Sequence, residues 1–165
     1  MRTFGSLLSL LCFSLLFVAC EEMPVGPSVG SGTELIATVD GVALNFDIEA
    51  GQTTYNETQL FGTIAGATLA LPVVAINLTF SGVDLDNDTF PRTLTGTEVS
   101  ITVATENEQG DPVAFDSRNP GGSGIITISA TDGTIVDGTF SGILFEDGDS
   151  IVVGNGQFSA RLSGS

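Results

Sequence analysis

The chain has no His, no Trp and no Lys, and its only cysteines are Cys12 and Cys20. Each absence removes a class of chemistry. Without His, nucleophilic triads of the Ser-His or Cys-His kind cannot be assembled. Beyond Cys20 no thiol remains for a disulfide, a zinc site or a nucleophile. Sugar clefts usually need aromatic platforms, and here Tyr55 is the sole Tyr. Phe61, Phe90 and Phe115 are the candidates for stacking from a loop. A glycan-active enzyme built on two carboxylates alone is therefore the weakest functional reading, and no enzyme activity is expected. The basic residues number 4, all Arg, against 20 acidic ones, for a net charge of −16. Nucleic acid is excluded as a partner because binding it needs a basic footprint. Peripheral contact with anionic lipid headgroups is disfavoured for the same reason. So acidic a surface repels itself and stays soluble. It also suits a salty medium, where ions screen the repulsion.

What the chain does have begins with MRTFGSLLSLLCFSLLFVAC. Arg2 supplies a short positive segment, and residues 7–18 are an almost unbroken apolar run, as in a secretory signal peptide. The run is short of the roughly 20 apolar residues that a transmembrane helix needs. Phe17-Val18-Ala19-Cys20 resembles the lipobox of bacterial lipoproteins, with a small residue before the cysteine and Phe17 where an aliphatic residue is usual. The resemblance implies that residues 1–19 are a cleaved signal peptide and that Cys20 becomes the lipid-bearing N-terminus. Acyl chains contribute ~0.8 kcal/mol per buried methylene, so two or three of them anchor the protein durably. Glu21-Glu22 also resembles a surface-export signal of some Gram-negative lipoproteins. The expected location is the outer membrane, at its periplasmic face or the cell surface. Processing removes Arg2 and no carboxylate, leaving 20 acidic against 3 basic side chains, a net of −17.

Residues 20–33 are rich in Pro, Gly and Ser and are expected to form a flexible, lipidated tether. From residue 34 to 165 the composition turns to short alternating runs of β-branched and aromatic residues split by Gly, Asn and Asp. Residues 35–39 lead into Asp40-Gly41, a hairpin-turn dipeptide. The following run puts Val42, Leu44, Phe46 and Ile48 on one face. Further strands are expected over 58–65, around Val99, Ile101 and Val103, and at an edge over 112–116. Residues 67–80 are apolar but interrupted by Pro72, which predicts a bulged strand or two shorter ones. Its second half would bury Val74, Ile76, Leu78 and Phe80.

The C-terminal third alternates most clearly. Ile126, Ile128 and Ala130 share a face, and Val136, Gly138, Phe140, Gly142 and Leu144 share the next. The last strand would place Val152, Gly154, Gly156, Phe158, Ala160 and Leu162 together. Phe140 and Phe158 lie beside glycines, as in a tightly curved sheet. No segment past residue 19 sustains a helical apolar period. The expected fold is all-β: one antiparallel β-sandwich or flattened β-barrel of about nine to ten strands.

Two stretches carry a family resemblance. Ala37-Thr38-Val39-Asp40-Gly41-Val42 opens the domain, and residues 122–162 close it. Together they resemble a family of small Gram-negative, Bacteroidetes-type lipoproteins that has no assigned chemistry. Its members share a V-D-G first hairpin and end in G-T-I-T-I, G-T-F-S and G-x-F strands. The matching positions are Gly124, Ile126, Ile128, Gly138, Thr139, Phe140, Ser141, Gly156 and Phe158. Many members carry a Trp after V-D-G; here that place falls near Leu44. The resemblance covers roughly a third of the chain and implies a β-fold lipoprotein with no catalytic residues to transfer.

Asp84, Asp86 and Asp88 stand at alternate positions, the kind of hard oxygen donors that a Ca2+ loop needs. The full EF-hand pattern fails, because Thr89 replaces its Gly and Thr95 its bidentate Glu. A solvated acidic loop is the preferred explanation of these residues. The turn Glu146-Asp147-Gly148-Asp149 is a second acidic cluster of the same kind. Asp149-Ser150-Ile151 resembles a short O-glycosylation motif and makes Ser150 a candidate acceptor. The function expected from all this is a lipid-anchored, non-enzymatic binding or structural accessory. Its partners would be the membrane, through the lipid, and an unknown surface protein or glycan. The alternative is a lipocalin-like protein that holds a small ligand inside a barrel. Gly138, Gly142, Gly154 and Gly156 would either open that cavity or let the sheets approach.

Overall fold

The structure is a computed structural model that describes residues 30–48, 53–107 and 109–164. Cys20 and the signal-peptide residues lie outside these. Among the described residues the chain is all-β, with a single 3-10 turn at Gly96–Glu98. In chain order the strands are β1 (Thr33–Val39), β2 (Val42–Asn45), β3 (Thr54–Asn56), β4 (Phe61–Ala67), β5 (Ala75–Ser81) and β6 (Arg92–Thr95). Then come β7 (Val99–Glu106), β8 (Pro112–Asp116), β9 (Ser123–Thr131), β10 (Ile135–Glu146), β11 (Asp149–Arg161) and β12 (Ser163–Gly164).

The strands follow the order β12-β3-β4-β5-β7-β8-β10-β11-β1-β2, with β9 also on β10 and β6 on β9. Every pair is antiparallel except β12 with β3. One apolar cluster takes side chains from β5 and β7 as well as from β9, β10 and β11. The sheet therefore folds over itself into two layers: β3, β4, β5, β7 and β8 face β6, β9, β10, β11, β1 and β2. At one margin of the described residues the layers join through one residue pair, Phe145 with Asp116. At the opposite margin, one bridge links Asp47 to Ala67. The sheet is not closed by a full ladder, and the architecture is that of a sandwich or flattened barrel.

Turn chemistry accounts for the hairpins. Asp40-Gly41 and Asp147-Gly148 both have positive φ at each residue, the requirement of the two-residue type I′ turn that matches strand twist. Asp132-Gly133 works differently. The Asp132 carboxylate accepts the N–H groups of Thr134 and Ile135 at 2.8 and 2.7 Å and closes a longer loop.

The alternating faces of β5, β9 and β10 are buried as the residue pattern predicts. Three expectations change. First, β11 reverses its parity midway. Phe140 pairs with Gly156 but Gly142 pairs with Val153, so Gly154 and Asn155 together oppose Ser141. Asn155 adopts φ +50°. This bulge turns Ile151 and Val153 inward and leaves Val152 54% exposed, whereas Gly156, Phe158 and Ala160 remain inside. Second, residues 67–80 hold one strand, not a bulged one or two. β4 runs to Ala67, and residues 68–74 form a loop closed by Thr68 N to Val74 O at 2.9 Å. Third, β8 is not a free edge, since it lies between β7 and the Asp116–Phe145 link. The short strands β3, β6 and β12 account for the excess over nine.

Candidate functional site

Among the described residues, phenyl rings pack against glycines in the interior. Gly138 pairs with Phe158, Phe140 with Gly156, and Gly62 with Phe80. In each pair the phenyl ring occupies the space where the glycine lacks a side chain. A Cβ at Gly156 would meet Phe140 Cδ1 at 2.7 Å, and one at Gly62 or Gly138 would overlap the facing ring. Phe140 and Phe158 lie 6.4 Å apart between ring centroids, tilted by 34°. The glycines thus seat aromatic rings. Gly154 has left this face, because the bulge rotates it away.

A broad concavity lies on the margin instead. It is a groove of about 790 Å³ between the β1–β2 hairpin and the 68–74 loop. Phe46, Val103 and Ile151 form its buried floor, with half-buried Leu44 and Val74 beside them. Val42, Leu69 and Leu71 stand at its rim, and Leu69 and Leu71 are 87% and 86% exposed. Pro72 explains the rim. It lacks the N–H needed to join a ladder, and the loop that holds it, after β4 ends at Ala67, carries Leu69 and Leu71 outward. Asp40 and Asp47 also line the groove, and among the described residues no Arg does. Asp40 is partly engaged, since its Oδ1 accepts the Val152 N–H at 2.8 Å.

The acidic loop is organised around its own backbone. Asp84 Oδ1 accepts the N–H groups of Asp86 and Asn87, each at 3.1 Å, and both Asp84 oxygens take the Asn87 side-chain amide. The Asn87 amide and these backbone donors hold the Asp84 carboxyl below its ordinary pKa. Asp88 accepts the Asp84 N–H at 2.9 Å and pairs with Arg92. Asp86 is exposed. Among the described residues no three acidic, His or Cys side chains group to hold a metal ion. Ser150 is exposed at the start of β11, opposite Phe145.

Tyr55 is a core residue. Its hydroxyl donates to Val83 O at 2.6 Å, and burial raises its pKa. Phe90 and Phe115 pack against the core, and Phe61 is half-exposed on β4. A shallower depression lies over the bulge, lined by Ile125, Thr139, Ser141, Asn155 and Gln157.

No helix among the described residues is long and apolar enough to cross a membrane. Compared with protein-family models, curated proteins and solved structures, the chain matches none. Sequence reasoning missed the marginal groove. Its one available signal was Pro72 set in Leu69-Ala70-Leu71-Pro72-Val73, an apolar run that cannot be an interior strand.

Proposed function

We propose that this chain is exported, processed and lipidated at Cys20, and that its β domain serves as a non-enzymatic binding or structural accessory. It would act at the outer membrane, on the periplasmic face or the cell surface, as a relative of the small lipoproteins it resembles. The export half of this reading rests on the apolar run ending in Ala19-Cys20. The observation that carries the other half is the contrast between a core packed with Phe–Gly pairs and an open apolar groove on the margin. A lipocalin-like protein needs an enclosed apolar pocket of several hundred Å3, and the Phe140 and Phe158 rings packed against Gly156 and Gly138 favour the accessory reading over it. A small-ligand role keeps one supporting observation, the groove's volume, which is of the size that drug-like molecules fill.

The test is fractionation of cells expressing the chain or its Cys20→Ser variant. Anchoring by Cys20 requires the parent in the detergent phase and the variant soluble or unprocessed. A variant that is processed normally and still partitions into detergent contradicts the proposal.

A further inference from the structure

We infer that the open edge of β2 is a docking site for an extended peptide segment with alternating apolar and basic residues. The segment would add a strand to the sheet. The inference rests on the accessory reading and names its partner class.

The hydrogen-bond pattern carries it. Asp47 and Ala67 exchange both backbone bonds, Asp47 N to Ala67 O at 2.8 Å and Ala67 N to Asp47 O at 3.2 Å. Phe46 N bonds in the opposite direction, to Leu35 O of β1 at 2.8 Å. Antiparallel strands alternate the side to which successive residues bond. Counting back from Asp47, Asn45 and Ala43 direct their N–H and C=O groups away from β1. Among the described residues β2 pairs only with β1, and β4 gives up the other side after Ala67, where its chain turns into the 68–74 loop. Among the described residues, nothing takes the outward groups of Ala43 and Asn45.

The side chains define what fits. Even-numbered residues of this stretch become progressively buried, from exposed Val42 through Leu44 to Phe46, so they face the groove. A strand laid along β2 would alternate in the same way. Its inward residues would cover Leu44, Leu69 and Leu71, which calls for apolar groups. Asp40 and Asp47 bracket β2 at its two ends, and among the described residues no Arg lines the groove, so the complementary charge is positive. Main-chain bonds would supply affinity and the apolar rim selectivity, the division of labour in strand addition.

The experiment uses the full chain extracted in detergent and a labelled short peptide of alternating lysine and valine with blocked ends. Binding is followed by fluorescence anisotropy. The comparators are the same peptide N-methylated at alternate residues, an alternating glutamate–valine peptide, and decyltrimethylammonium as a small apolar cation. Binding of the unmodified peptide is expected, with losses of about tenfold or more on N-methylation and for the glutamate peptide. The Leu69→Ser/Leu71→Ser double variant should weaken binding by about tenfold or more. Ala43→Pro, which deletes an outward N–H of an edge strand, should do the same with the β1–β2 ladder intact.

Equal affinity for the N-methylated peptide would mean attraction to the acidic surface at large and overturns the inference. So does unchanged binding by the double variant, whose exposed positions do not threaten folding. A peptide Kd above about 1 mM, or competition by decyltrimethylammonium at equal concentration, points to no site or to a small-molecule site, and either overturns it. These outcomes are independent of membrane fractionation, so failure here leaves lipidation at Cys20 a separate question.

Discussion

At the scale of single residues, this domain is organised by glycines that face phenyl rings. Adding a methyl group at such a site forces overpacking, which costs about 1–3 kcal/mol in a filled core. The sites are not equivalent. At Gly138 the new Cβ would strike both the Phe158 ring and the Thr127 carbonyl oxygen, and the backbone cannot rotate aside. At Gly154 it would meet only Thr38 Oγ1, at 3.1 Å. Gly138→Ala should therefore lower stability by at least the upper part of that range, and Gly154→Ala by less than about 1 kcal/mol. Urea denaturation of both variants checks the order, and a Gly154 effect as large as the Gly138 effect would refute it. The rings carry the complementary expectation. Phe140→Ala and Phe158→Ala should each cost roughly 3–5 kcal/mol, the usual loss on emptying a buried aromatic site. The inward register of both rings was legible, because Phe140 and Phe158 alternate with small residues. Which glycine each ring covers was not, because cross-strand register is a property of the paired strands.

At the scale of elements, two local devices decide the geometry. The first is the bulge at Gly154-Asn155. A left-handed residue costs a side chain roughly 1–2 kcal/mol relative to glycine, and Asn tolerates it better than most. Asn155→Val should destabilise by about that amount while Asn155→Gly is neutral or slightly stabilising; thermal melts of the pair decide it. The second device is Asp116, at the β8–β10 link between the layers. Its carboxylate accepts from buried Ser100 Oγ at 3.2 Å, from Thr102 Oγ1 at 3.0 Å and from the Arg118 N–H at 2.7 Å. Burial pushes its pKa up, but the Arg118 and Thr102 bonds and the Arg118 charge outweigh that and leave it lowered. A lowered native pKa means stabilisation that is present above the ordinary value of 3.8 and lost as pH falls below it. Asp116→Ala should cost about 1–3 kcal/mol near neutral pH, because the Ser100 hydroxyl loses its partner. The melting gap between parent and variant should narrow as pH falls from about 5 to about 2. A gap that stays constant contradicts this role for the carboxylate.

Long alternating strands such as β9 and β10 were legible because each keeps one parity throughout its core-facing run. The β11 flip was hidden, since a strict alternation rule reads Val152-Val153-Gly154-Asn155 without a break. Asn155 beside a glycine was the available sign of a bulge. β3, β6 and β12 are too short to show a period, and their pairing comes from longer neighbours.

At the scale of the whole molecule, charge and packing act in opposite senses. If processing leaves −17, the carboxylates repel one another more in the compact state than in the expanded one. Salt shortens the Debye length from about 10 Å at 0.1 M to about 3 Å at 1 M. The melting temperature should rise across that NaCl series, and a flat response would contradict the repulsion. A specific Ca2+ site in the 84–88 loop would instead show stabilisation that equal ionic strength of NaCl cannot reproduce and that Asp86→Asn removes. The all-β antiparallel fold itself was legible from strand pattern alone, with sandwich and flattened barrel both open. The groove was not, because it arises where β2 and β4 part company, a relation between segments with no local signature. The central claim is that the interior is full and that binding belongs to the margin. Methyl-selective NMR of the protein under xenon pressure tests it most directly. Shifts should be confined to Val42, Leu44, Leu69, Leu71 and Val74 around the groove, whereas comparable shifts at Ile126, Ile128, Val136 and Leu144 would reveal an interior cavity and contradict the account.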